Sequence, residues 1–120
     1  MKKILVVEDF NTSRQIIKKT LESMGYEVDE APDGREALKF FNGSRIDLVI
    51  TDYNMPNMDG GDLVEYMRSK DAYKYTPVFV LSTETNIQKQ ARAKDARITS
   101  WIKKPFDVME FRRLVEKVLA

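Results

Sequence analysis

Four of the candidate strands in this chain lead into residues able to do chemistry. Glu8 and Asp9 follow residues 4–7, Asp52 lies just past residues 46–50, Ser82 follows residues 78–81, and Lys104 lies just past residues 98–102. If these stretches are neighbouring strands of one sheet, spaced by about 4.8 Å, the side chains at their ends converge on one small volume. Three carboxylates so placed repel one another, and one has its pKa raised unless a cation sits among them. All-oxygen ligands suit Mg²⁺, which takes a few carboxylates, several waters and phosphate oxygens. A metal ion, an ammonium and a hydroxyl around a carboxylate make a cradle for a transferring phosphoryl group. Asp52 is flanked by all three and is the candidate nucleophile, because aspartyl phosphates are enzymic intermediates.

The elements that must position these residues can be read from periodicity. Residues 4–7, 46–50 and 78–81 are continuous apolar runs rich in branched side chains, which suits strands buried on both faces. Residues 26–30 and 98–102 are weaker strand candidates. Helical spacing fills the gaps. Ile17, Leu21 and Met24 share a face of a helix that Asn11 or Thr12 could cap and Gly25 stops. Ala37, Leu38 and Phe41 follow the Pro32-Asp33-Gly34 turn, and Leu63, Val64 and Met67 follow Asp59-Gly60. Residues 86–95 form the least apolar helix, and Phe111, Leu114, Val115 and Val118 the last, which Pro105 and Asp107 start. Five strands alternating with five helices predict a doubly wound α/β fold with a flavodoxin-like parallel sheet of order 2-1-3-4-5. Its site lies beyond the carboxyl ends of the strands, at the switch point between strands one and three. No linker or repeat divides the chain, so residues 1–120 are expected to form one domain with no output domain attached.

Composition narrows the chemistry further. The 120 residues include no histidine and no cysteine, which excludes a Ser-His-Asp triad, a phosphohistidine, thiolate catalysis and zinc sites built on those ligands. Twenty basic residues balance nineteen acidic ones, giving no basic excess for a nucleic acid. The opening apolar stretch is too short for a signal peptide, and no run approaches the ~20 apolar residues of a membrane span. The expected protein is soluble and stays where it is made.

Singly, each of these residues has a plainer explanation. An acid pair can be a solvated rim or a helix cap, Asp52 can open the turn through Asn54, Pro56 and Gly60, Ser82 can cap a helix, and Lys104 can be a surface lysine. Their joint occurrence at four strand ends favours the functional explanation. The pieces VVEDF (6–10), DYNMPNMDG (52–60), LST (81–83) and KKPF (103–106), in this order and spacing, resemble the receiver family of two-component response regulators along the whole chain. That resemblance implies phosphoryl transfer from the phosphohistidine of a sensor histidine kinase to Asp52. It implies Mg²⁺ held by Glu8, Asp9, Asp52 and the backbone carbonyl of Asn54, with Lys104 on the phosphoryl oxygens and Ser82 closing onto them. The Lys104-Pro105 peptide is expected to be cis.

Within the family the resemblance is to the single-domain chemotaxis branch, through residues 8–12, the pair Asn54 and Glu84, and the absence of an output domain. Asn54 and Glu84 are typical there of rapid self-dephosphorylation, and Trp101 holds the place of an aromatic that changes rotamer on activation. A cytoplasmic monomer is implied, with a downstream partner such as a flagellar motor switch component and no nucleic acid or membrane. Three residues depart from the pattern. Arg97 stands where glycine is common, Trp101 replaces tyrosine or phenylalanine, and Lys103 adds a charge beside Lys104. The expected output face carries Lys89, Arg92, Trp101 and Lys103.

Rival functions fare differently. A flavin phosphate would be repelled by Glu8-Asp9, and the five glycines never form a P-loop. A receiver fold used only for protein binding would have lost an acid, the hydroxyl or the lysine. A stand-alone phosphorelay intermediate, passing phosphate to a histidine phosphotransfer protein, shares every active-site residue; Asn54 and Glu84 lean against it.

Overall fold

Buried branched residues on alternating faces build the sheet. The computed structural model describes residues 1–83 and 97–120. Its strands are β1 (Lys3–Val7), β2 (Glu27–Ala31), β3 (Leu48–Asp52), β4 (Val78–Ser82) and β5 (Ser100–Lys103). All pair in parallel, in the order β2-β1-β3-β4-β5. The helices among the described residues are α1 (Asn11–Ser23), α2 (Gly34–Ala37), α3 (Gly60–Arg68) and α4 (Val108–Leu119), with single 3-10 turns at Leu38–Phe40 and Asp71–Tyr73. The expected helix at residues 86–95 lies outside the described residues.

Because side chains alternate along a strand, each central strand feeds two cores. Ile4, Val6, Leu48, Ile50, Phe79 and Leu81 pack with Ile17 and Leu21 of α1 and with Phe111 and Val115 of α4. Leu5, Val7, Val49, Val78 and Val80 pack on the opposite face with Ala37, Phe41, Leu63, Val64 and Met67. Both faces of β1, β3 and β4 are thus dry, which holds their carboxyl ends in fixed register under the site.

Several boundaries differ from the sequence-based expectations. The third strand starts at Leu48 rather than at residue 46. Ile46 is still buried, but Asp47 has turned to the rim, where its backbone N–H donates to the Lys3 carbonyl and its carboxylate accepts from the Lys3 backbone N–H. The second and fifth strands are edges, half in water, and begin one and two residues later than expected. Neither Asn11 nor Thr12 caps α1: Phe10 holds the N-cap position without a side-chain bond, and the Asn11 side chain instead accepts from Arg14. Asp33, Asp59 and Asp107 do cap α2, α3 and α4, each accepting from the backbone N–H three residues on.

Candidate functional site

The carboxyl ends of β1, β3 and β5 bring the expected residues together. Glu8 continues β1 by one residue, its backbone N–H donating to the Ala31 carbonyl at 3.1 Å, and its side chain is fully buried. Asp52 ends β3, and pairing with β4 runs on past it through a bond from Tyr53 N–H to the Leu81 carbonyl at 2.9 Å. Carboxylate oxygens of Glu8, Asp9 and Asp52 all lie within 4.8 Å of one another, with Asp9 exposed and the other two buried.

The loop after β3 presses back on the nucleophile candidate. Gly60 N–H donates to the Tyr53 carbonyl at 2.7 Å. A Cβ on Gly60 would come within 2.6 Å of the Asp52 carbonyl oxygen and 2.9 Å of the Tyr53 Cα, so only glycine allows this approach. Thr51 Oγ1 also donates to the Asp52 carbonyl, at 2.9 Å. The peptide on which Asp52 sits is therefore gripped from two sides.

Lys104 is the counter-charge. Its Nζ lies 3.0 Å from Asp52 Oδ1 and 3.1 Å from Glu8 Oε2. The Lys104-Pro105 peptide is cis. Burial works against the ammonium, but its bonds to Asp52 and Glu8 outweigh this and raise its pKa, so it stays charged. One ammonium among three carboxylates does not neutralise them. Burial, with the Glu8 charge adding to it, pushes Asp52 up from 3.8 to about 7, against the opposing pull of Lys104. The cluster is short of positive charge. Its donor set is all oxygen, its acids are close enough to share one ion, and Asp9 faces solvent, so the residues present fit a hard divalent cation such as Mg²⁺.

An open cleft of about 370 Å³ above these groups is lined by Asp9, Phe10, Ser13, Asp52, Asn54, Thr83 and Lys104. Asn54 is exposed at its mouth. Ser82 is buried at the end of β4, and it is Thr83, next in the chain, that lines the cleft. Of the lining residues, Phe10 and Thr83 fell within the motifs read from the sequence but were given no role, and Ser13 fell outside them. Phe10 directly follows the acid pair and Thr83 the strand-end hydroxyl, whereas Ser13, four residues past Asp9, carried no such signal. Glu84, Lys89 and Arg92 lie outside the described residues.

Trp101 points to the α3 side of the sheet, its ring 5.3 Å from that of Tyr53, the residue after Asp52. Lys103 is exposed at the last position of β5, opposite Ser82. Arg97 adopts a left-handed backbone, φ 62°, which is why a glycine suits this position. Its carbonyl accepts from Arg68 at 2.9 Å, and its guanidinium lies over the Tyr75 ring.

The response regulator receiver domain model matches residues 4–116. The chain is 40% identical to chemotaxis protein CheY1 of Helicobacter pylori, over 98% of this chain and 96% of that protein. Among solved structures, chemotaxis protein CheY4 of Vibrio cholerae superposes with a TM-score of 0.91 at 40% identity, covering 98% of each chain. The response regulator TrrA of Thermotoga maritima, solved with Mg²⁺ and beryllofluoride, gives a TM-score of 0.86 at 33% identity, over 98% of this chain and 99% of that one. The chain belongs to the response regulator receiver family, and the relatives it resembles include chemotaxis proteins of the CheY type.

Proposed function

We propose that the chain is a phosphorylation-controlled signalling switch whose phosphoacceptor is Asp52. The observation that carries this reading is the Lys104 ammonium bonded to both Asp52 and Glu8 at the floor of an open acidic cleft. A buried carboxylate held beside an ammonium, yet open to the cleft, suits attack on a phosphorus brought in from solvent. An Asp52 oxygen forms the new P–O bond as the N–P bond of a kinase phosphohistidine breaks, and the imidazole leaves with the electron pair. Lys104 then exchanges its carboxylate contact for a phosphoryl oxygen, where a charge-assisted bond is strong.

Glu8, Asp9, Asp52 and the Asn54 carbonyl would hold Mg²⁺, which supplies charge neutralisation for the incoming phosphoryl oxygens. TrrA, solved with Mg²⁺ and beryllofluoride, is a relative of the same fold, which supports this choice of ion. Ser82, buried beside the cleft, is the hydroxyl that closes onto the phosphoryl group, and Trp101 reports the change. Asn54 at the mouth, with Glu84, sets the rate at which water removes the phosphoryl group. Likeness to CheY-type proteins supports a cytoplasmic monomeric role in chemotaxis, between a sensor histidine kinase and a motor-switch protein.

The test is transfer from an autophosphorylated chemotaxis histidine kinase. Label is expected to pass to the wild-type chain within seconds in Mg²⁺ and not to Asp52→Asn. Equal labelling of both would overturn the assignment.

A further inference from the structure

Arg14, in the first turn of α1, reaches three partners at once. Its Nη1 donates to the Glu8 carbonyl at 2.7 Å, its Nε to Glu30 Oε1 at 2.9 Å, and its Nη2 to Asn11 Oδ1 at 2.9 Å. Glu30 lies on the edge strand β2 and is itself fixed by Gln15 and by Lys18, whose ammonium is 2.6 Å away. Those contacts hold Glu30 ionised, Lys18 and then Arg14 lowering its pKa. The guanidinium therefore bridges an anchored carboxylate to the backbone of Glu8, where β1 has just ended and the chain turns toward Asp9.

No side-chain cap defines the start of α1. The acids Glu8 and Asp9 sit on this uncapped junction, while Asp52 and Lys104 come from β3 and the end of β5. Something must hold the first pair in place against the second. We infer that Arg14 is a positioning residue for the acid cluster, fixing the Glu8-Asp9 backbone from behind so that their carboxylates share one cation with Asp52; this rests on the Mg²⁺ reading above. The planar fork of an arginine can hold the Glu30 carboxylate and a carbonyl in fixed geometry, which a lysine cannot. Lys18 supplies the contrast. It pairs with the same Glu30 from the same helix and makes no hydrogen bond or ion pair with Glu8.

Calorimetric titration with Mg²⁺ alone separates positioning from charge, with urea denaturation run beside it. Arg14→Lys keeps the charge and loses the fork; its Mg²⁺ affinity is expected to fall by about tenfold, the low end for loss of a partner behind a metal ligand. Arg14→Ala should fall at least as far, although removing a cation would by charge alone strengthen Mg²⁺ binding. Lys18→Ala should stay within about twofold of wild type while losing a similar small amount of stability. Unchanged affinity in Arg14→Lys, tighter binding in Arg14→Ala, or an equal loss in Lys18→Ala would each overturn the inference while leaving the phosphoacceptor reading intact. A wild-type chain that binds no Mg²⁺ would overturn both.

Discussion

At the scale of single residues, function at this site works against stability. Asp52 is buried beside a second buried acid, and its pKa rises from 3.8 to about 7, burial being the larger cause. Between those two values the folded chain keeps a proton on Asp52 that the unfolded chain has released. The unfolded state binds fewer protons there, so metal-free stability from this group falls as pH rises through that window and is fully lost above it. Asp52→Asn removes the penalty and leaves Lys104 paired with Glu8. In chelator, urea titration at pH 8 is expected to show the mutant more stable by roughly 1 kcal/mol or more, with the gap closing toward pH 5. Asp9→Asn should act in the same direction but less, because Asp9 faces solvent. Clear destabilisation of Asp52→Asn at pH 8 would refute the like-charge account.

At the scale of elements, the site depends on how tightly the loop after β3 is drawn against the strand. Gly60→Ala places a methyl 2.6 Å from a backbone oxygen, and backbone gives way at greater cost than a flexible side chain. The substitution is expected to cost about 1–3 kcal/mol by overpacking. Because the displaced atoms belong to Asp52 and Tyr53, it should also slow phosphorylation by roughly tenfold or more. A normal rate in a folded Gly60→Ala protein would show that the loop does not set the position of Asp52. The same elements show what the sequence could reveal. Strands β1 and β4 were legible to within a residue because both their faces are buried and they read as continuous apolar runs. Strand β3 gave the same signal but was placed two residues early, because Ile46 is buried ahead of the strand and Thr51 and Asp52 end it. The edges β2 and β5 mix polar and apolar residues, so their ends were misplaced by a residue or two. The α1 cap was misread because the helix starts one residue too early for it: Phe10 holds the cap position, and Asn11, already in the first turn, accepts from Arg14 three residues on. The acids and Lys104 were legible from their strand-end positions. The fixing of Asp52 by Gly60 and the Arg14 bridge were not, since both depend on how the loop and helix fold back on the sheet.

At the scale of the whole molecule, the proposed function requires that phosphorylation at one end of the sheet be read on another surface. The sheet offers a short path. Tyr53 follows Asp52 directly and its ring meets Trp101, which lies on β5 two residues before Lys103 and three before Lys104. A shift of Ser82 toward a phosphoryl group would change the packing around Trp101, biasing a two-state equilibrium. Trp101 is the only tryptophan. Beryllofluoride with Mg²⁺ should therefore change its quenching by acrylamide beyond what Mg²⁺ alone does. No difference, together with normal partner binding by Trp101→Ala, would mean that the signal leaves by another route. All of this rests on Asp52 taking the phosphoryl group, and one measurement tests that directly: intact mass of the chain after incubation with acetyl phosphate. The account expects a single phosphoryl adduct that requires Mg²⁺ or Mn²⁺, maps to the peptide containing Asp52 and is absent from Asp52→Asn. Undiminished uptake by that mutant, or full uptake in chelator, would contradict it.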